Sequence, residues 1–125
     1  MRLRRRGLVL LGHGARDPEW AEPLRDVRRR IQAQIPTARI ELAFLEFMEP
    51  DLEAVVTALV AEGCASITVL PMFIAQGGHL KRDLPVTVAH LQAVHPCTVI
   101  ELGSAIGTAE PVLAAMADYA GQLLD

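Results

Sequence analysis

The sequence predicts an α/β fold built on a four-stranded, mostly parallel sheet with helices on both faces. Three observations carry this reading. Apolar runs bounded by glycine or proline alternate four times with stretches of helical periodicity. The connections between them are short. The first run, Leu8 to Leu11, is continuously apolar, as a strand covered on both sides must be. Such alternation builds right-handed crossovers, so every loop that follows a strand opens on the same carboxyl edge of the sheet.

The elements follow in order. Gly7 to Gly12 is the first strand. Asp17-Pro18 then supplies an N-cap with proline at the first helical position, and Trp20, Leu24, Val27, Ile31 and Ile35 form one helical stripe that Pro36 ends. Arg39 to Phe47 reads as the second strand, with Glu46 among its last residues. Pro50 opens a helix carrying Leu52, Val55, Val56, Leu59 and Val60, and Gly63 closes it. Ser66 to Phe73 is rich in β-branched and apolar residues and gives the third strand, followed by the turn Gln76-Gly77-Gly78-His79. Leu80, Leu84, Val88, Leu91 and Val94 mark a third helix, whose start Pro85 is expected to delay or bend. Cys97 to Leu102 is the fourth strand and Gly103 to Thr108 a loop. Val112, Leu113, Met116, Ala120 and Leu123 mark the last helix. No linker, low-complexity tract or convincing internal repeat interrupts the chain, which reads as one domain over residues 1–125.

Composition narrows the function. With 125 residues and 51% hydrophobic content, the chain can bury a real core, but one copy is too small to build a deep, enclosed cavity. A formal net charge of -3 gives no general reason to expect a nucleic-acid partner, and Arg4, Arg5 and Arg6 read as a solvated basic tail. No apolar stretch reaches membrane-spanning length, and Leu8 to Leu11 is too short for a signal h-region. Cys64 and Cys97 have no CxxC spacing and read as isolated small hydrophobes. The expectation is a cytoplasmic protein with neither membrane nor nucleic acid as partner.

Chemistry gathers at the carboxyl edge, where His13, Glu46, His79 and the Gly103-Ser104 turn fall together. The glycines flanking His13 remove side-chain cover and allow close approach by a ligand, although the ring can equally serve to tie down the turn. His79 follows the same logic or is merely a helix-start residue. His90 and His95 lack that setting. Glu46 sits in Phe44-Leu45-Glu46-Phe47-Met48, where an apolar flank makes an ionised carboxylate costly unless it is paired or bound to a cation; otherwise it is a strand-end residue facing water. Two imidazoles and one carboxylate on separate loops suit Fe²⁺, Co²⁺, Ni²⁺ or Zn²⁺ in an open, exchangeable site. Gly12-His13-Gly14-Ala15-Arg16 is neither GxGxxG nor a P-loop, and no GxSxG elbow is present. Histidine phosphatase chemistry is disfavoured because Gly12, not arginine, precedes His13.

These motifs resemble those of the small, single-lobed sirohydrochlorin chelatases, the class II chelatases of the short CbiX type. Leu11-Gly12-His13-Gly14-Ala15-Arg16-Asp17-Pro18 resembles the HG(S/A)RDP signature, and Phe44-Leu45-Glu46 the second conserved segment of that family. Pro71-Met72-Phe73 through Gly78-His79, with Asp83-Leu84-Pro85, resembles its P-(L/M)-F…G-H…D-(I/L)-P signature. The resemblance covers essentially the whole chain and implies a chelatase-like lobe that pairs as a homodimer.

It also implies a reaction: insertion of Co²⁺ into sirohydrochlorin with release of two protons. Iron or nickel are the alternative metals, and a non-catalytic metal or tetrapyrrole carrier is the alternative role. No cofactor beyond the divalent metal substrate is expected. The resemblance assigns metal handling and catalysis to His13, His79 and Glu46. The expected substrate-binding set is Phe47, Met48 and Phe73 against the macrocycle plane, Gly78 beside His79, and Arg16, Lys81 and Arg82 on its carboxylate rim. No histidine-rich tail accompanies them, which weakens any metal-storage role. A broad tetrapyrrole against so small a lobe is the reason to expect two copies around one cleft.

Overall fold

A computed structural model describes residues 5–125, so Arg4 of the basic cluster lies outside the described residues. Four strands, β1 (Arg5–Gly12), β2 (Arg39–Phe44), β3 (Cys64–Pro71) and β4 (Val99–Leu102), form one sheet in the order β2-β1-β3-β4. All three pairings are parallel, with Leu10 opposite Leu42 and Leu70, and Ile67 opposite Ile100. Four helices connect and follow them: α1 (Glu22–Gln34), α2 (Leu52–Ala61), α3 (Gly78–Val94) and α4 (Glu110–Gln122). The α/β architecture is the expected one.

Period-two alternation divides the core into two layers. Val9, Leu11, Ile67, Val69 and Ile100 face α2 and α3, where Leu52, Val55, Val56, Leu59, Leu84, Val88 and Leu91 complete the larger layer. Leu8, Leu10, Ile40, Leu42 and Leu70 face the other way, onto Val27 and Ile31 of α1. β1 and β3 occupy the centre of the sheet, and β1 is apolar on both faces from Leu8 to Leu11.

Several boundaries depart from the expected ones. Asp17 does cap a helix, its carboxylate accepting from the Glu19 N–H at 3.0 Å, but the first piece is a 3₁₀ turn over Pro18–Ala21. Pro23 lacks an N–H and falls at the start of the α1 that follows. β2 ends at Phe44 rather than at Phe47, because the chain leaves the ladder through a series of bends toward the cis Glu49–Pro50 peptide. Asp51, not Pro50, begins α2, its carboxylate accepting from the Ala54 N–H at 2.8 Å. β3 and β4 are displaced by two residues from their expected starts, at Cys64 and Val99. Pro85 does not delay α3, which begins at Gly78 and runs through the proline.

An internal repeat, not expected from the sequence, is visible at two corners of the fold. The Gln32 side-chain amide donates to the carbonyls of Ile35 (3.4 Å) and Ala38 (2.7 Å), and its oxygen accepts from Ile40 N–H (3.3 Å). Sixty residues on, Gln92 donates to His95 (3.1 Å) and Thr98 (2.6 Å) and accepts from Ile100 N–H (2.8 Å). The helices end alike, with φ/ψ of -130°/74° at Ile35 and -121°/70° at His95. The segments 31–42 and 91–102 share Gln, Ala, Pro, Ile, Glu and Leu at matching places. β1-α1-β2-α2 and β3-α3-β4-α4 are thus two copies of one plan, related by a pseudo-twofold axis along the strands. It exchanges β1 with β3, β2 with β4, and one face of the sheet with the other.

Candidate active site at the carboxyl edge

Loops after β1 and β2 are joined into one surface. Leu45 N–H donates to Gly12 carbonyl and Glu46 N–H to His13 carbonyl, both at 3.0 Å, joining the two loops beyond the strand ends. Gly14 makes this approach possible. It has φ of 90°, and a Cβ there would lie 1.8 Å from the Glu46 carbonyl oxygen. Immediately beyond, Met48 N–H closes on the Glu46 carbonyl at 2.8 Å, a γ-turn whose central Phe47 holds φ at 65°. A positive φ on a bulky residue is strained, and here it turns the Phe47 ring into solvent.

The expected residues fall into three groups. His13 is exposed, and its ring lies 4.2 Å from that of Phe73 at a 30° tilt. Phe73 is 3% exposed and forms the floor beneath the imidazole, so the ring expected against a substrate plane is instead a core residue supporting His13. Arg16 places its guanidinium 5.1 Å from the centroid of Phe47, a cation–π contact that ties the first loop to the second. Met48 is half-buried beside it. Glu46 is exposed, as are its neighbours Leu45 and Phe47; the apolar flank expected to desolvate the carboxylate therefore stands in water itself.

His79 belongs to the third group, in the first turn of α3 after Gly78. Its side chain is 87% exposed, and its Nε2 lies 3.3 Å from Asp83 Oδ2 one turn on. Sequence reasoning named Asp83 only within a motif, although the i, i+4 spacing on a helix is itself the signal for that pair. Lys81 and Arg82 are exposed on the same turns. Lys81 lines a shallow cavity of about 240 Å³ with Gln76, Leu80, Leu102, Gly103 and Ser104, which brings the fourth loop into the edge as expected. Larger grooves lie elsewhere: one of about 410 Å³ over Arg25, Arg28 and Glu41 on the outer side of β2, another of about 440 Å³ by Pro36 and Arg39 at the opposite edge.

His13 and Glu46 are thus held on adjoining, hydrogen-bonded loops, while His79 stands apart on α3. Among the described residues no group of three or more His, Cys, Asp or Glu side chains is placed to hold a metal ion. What the edge offers is an exposed imidazole on an aromatic floor, a carboxylate on the adjoining loop, a second imidazole paired with Asp83, and three basic side chains on the same loops and helix. Among the described residues the cavity at this edge is open and shallow. It falls below the roughly 300–1,000 Å³ typical of small-molecule sites.

Comparisons with known proteins agree on one family. The CbiX family model matches residues 7–123. A sirohydrochlorin cobaltochelatase of Methanococcus aeolicus is 38% identical over 78 residues, 62% of this chain and 54% of that protein. A sirohydrochlorin ferrochelatase of Bacillus subtilis is 28% identical over 112 residues, 90% of this chain and 43% of that protein. The chain spans about half the length of the curated relatives it matches. Among solved structures, a putative cobalamin biosynthesis CbiX protein from Marinobacter aquaeolei superposes with a TM-score of 0.82 at 31% identity, covering 95% of this chain and 97% of that one. A sirohydrochlorin chelatase from Bacillus subtilis subspecies spizizenii, in complex with cobalt, gives a TM-score of 0.78 at 26% identity over 94% of this chain and 50% of that one.

Proposed function

The chain belongs to the CbiX family, and from that premise we propose that it inserts Co²⁺ into sirohydrochlorin. The observation that carries the proposal is the junction of the first two loops, where the Glu46 N–H bonded to the His13 carbonyl holds the residues that bear an imidazole and a carboxylate on adjoining loops at the sheet's carboxyl edge. Names of archaeal relatives favour cobalt. The Bacillus subtilis ferrochelatase is the specific reason to keep iron as the second metal.

The reaction asks little of a protein beyond delivery and proton removal. One divalent ion enters, two pyrrolic N–H bonds break, four metal–nitrogen bonds form and two protons leave. His13, supported by Phe73, is assigned to hold the incoming ion on an open face and to accept a proton. Glu46 supplies the neighbouring negative charge that favours the cation and can take the second proton. His79 is assigned the same duties from α3, with Asp83 orienting its ring. Weak, open coordination suits this task, since the macrocycle must win the metal from the protein. The cationic groups Arg16, Lys81 and Arg82 are assigned to the carboxylate rim, Phe47 and Met48 to the plane, and Gly78 to close approach beside His79. The reaction takes no cofactor beyond the metal it inserts.

One copy, read as a single domain over residues 1–125, is proposed as half of a homodimer, because a cavity of about 240 Å³ between the third and fourth loops cannot enclose a tetrapyrrole. A cytoplasmic setting is part of the proposal; two free cysteines, and no helix among the described residues long and apolar enough to cross a membrane, support it. The test is to mix purified protein with sirohydrochlorin and Co²⁺, Fe²⁺ or Ni²⁺ in turn and follow the absorbance change of metallation. Acceleration over the uncatalysed rate with Co²⁺ is the expected result. Acceleration with Fe²⁺ alone moves the assignment to iron, and tight macrocycle binding without acceleration makes the protein a carrier.

A further inference from the structure

The internal repeat leaves one helix without a seat. α2 lies across β1, β2 and β3 and buries Leu52, Val55, Val56 and Leu59. Its counterpart α4 begins with the same Glu-Pro-x-Leu-x-Ala pattern, at Glu110 where α2's begins at Glu49, and so carries Leu113, Met116, Ala117 and Ala120 at the places of those four. None of them is buried: Leu113 and Met116 are 43% and 37% exposed. A helix that bears a sheet-covering face while standing in solvent has lost its sheet.

The pseudo-twofold axis says where that sheet surface is. α1 and α3 obey the axis, lying on opposite faces. Applied to α2, the same rotation points to the face opposite α2 and α3, over β3, β4 and β1. That surface is bare. Thr68, Val99 and Glu101 are exposed there, alternating with Ile67, Val69 and Ile100 buried beneath α2 and α3, and Val99 is 54% exposed. A parallel sheet of this kind is normally covered on both faces.

The turn before α4 holds the helix away from its own sheet. Gly103 N–H donates to Val69 carbonyl at 2.8 Å and Gly107 N–H to Phe73 carbonyl at 3.0 Å. A Cβ on Gly107 would lie 2.0 Å from the Ile74 carbonyl oxygen, so the turn is locked against the loop that follows β3. α4 leaves from that anchor with its apolar face in water.

We propose that α4 of each chain seats on the bare β1-β3-β4 face of a second copy, each copy giving and receiving one helix. The dipole of α4 is complementary to the surface it covers. α4 has the acids Glu110 and Asp118, with Asp125 just beyond, and no lysine or arginine. Helices of βα units run antiparallel to their strands, so the C-terminal half of the incoming helix comes to the strand beginnings, on the side that Arg6 shares with Leu8. Its N-terminal half comes to Glu101, nearer the carboxyl edge. Each end of the helix dipole then meets the opposite charge. The exchange deepens the homodimer proposed above and rests on it, but not on the chemistry assigned to His13, Glu46 and His79.

The test uses two full-length chains that each replace exposed Cys97 with serine, one carrying Val99→Cys and the other, tagged for mass, Met116→Cys. They are co-refolded and treated with a short bis-maleimide. Exchange predicts a covalent pair of mixed composition in high yield, absent when either chain is treated alone. The double variant of a single chain checks the other direction: a link formed within one chain, at monomer mass, shows that α4 folds back on its own sheet and overturns the exchange. Sedimentation of the untreated protein separates the remaining outcomes. Dimer mass without any 99–116 link overturns the exchange and leaves the homodimer, whereas monomer mass overturns both. Met116→Asp, on an exposed position, is expected to give monomers with an unchanged circular dichroism spectrum, and retention of dimer mass counts against the exchange.

Discussion

At His13 the fold holds the backbone and leaves the ring free: the carbonyl accepts from Glu46 N–H while the imidazole rests on Phe73. Removing the ring therefore tests chemistry rather than stability. His13→Ala and His79→Ala are each expected to slow metallation by about 10²-fold or more, the usual worth of a positioned acid–base group. Because both side chains are exposed, each variant should keep its stability within about 0.5 kcal/mol in thermal unfolding. Gly14 makes the opposite case. Gly14→Ala forces an L-residue to φ of 90° against the Glu46 carbonyl, and should cost about 1–3 kcal/mol while separating the loops and lowering activity. Gly77→Ala, where φ is -67° and a Cβ meets nothing, is the control for added bulk alone. Burial, followed by the nearby Glu62 carboxylate, pushes the Cys64 thiol up, so maleimide should label Cys97 quickly in the folded protein and Cys64 only on unfolding. The sign for stability follows: the unfolded thiol ionises first, so stability held below its ordinary value falls as alkaline pH rises toward the folded one, and Cys64→Ala should flatten that decline in urea titrations. The placement of His13, Glu46 and His79 at the carboxyl edge was legible in the sequence. Left-handed Phe47 was not, because nothing in a phenylalanine announces positive φ, and Phe73 was misjudged because a ring at a strand end looks the same whether it faces a ligand or the core.

Between elements, the glutamine clamps do the work of a cap. Each ties together the carbonyl of the residue that caps a helix C-terminus, the carbonyl just before the next strand and one N–H of that strand. Gln92→Ala is expected to destabilise by about 1–3 kcal/mol in chemical denaturation, as is Gln32→Ala, because partly buried backbone groups lose their partner. The two clamps serve β2 and β4 at opposite edges of the sheet, so the double variant should show the sum of the single effects. Helix and strand order was readable from apolar periodicity, and three of the boundary differences have local causes. Pro23 lacks the N–H that would carry the first helix back to Asp17, Asp51 rather than Pro50 has a side chain able to cap, and the bends after Phe44 serve a loop that the first strand's glycines draw in. Gln32 and Gln92 went unread because polar residues on a helix's last turn are ordinarily solvent-facing, and only the fold shows them turned onto the following strand.

For the molecule as a whole, a four-unit α/β chain with its candidate site residues at the carboxyl edge was legible because alternation and handedness leave few topologies open. What α4 covers was not, since helical periodicity tells which residues share a face but not what that face meets. The repeat brings a property of a different kind. In the order β2-β1-β3-β4, relabelling the strands from the third onward returns the same order read from the other side, so the topology is indifferent to which half of the chain comes first. A circular permutant opened between Gly63 and Cys64, with residue 125 joined to residue 5 through a flexible glycine-serine segment, should therefore reach the same parallel sheet by the same right-handed crossovers. The expected readout is a native-like circular dichroism spectrum and cooperative unfolding; a permutant that stays unfolded would mean that the order in which the halves are made, and not only their contacts, determines the sheet. Where most α/β domains have one beginning, this one has two equivalent ones.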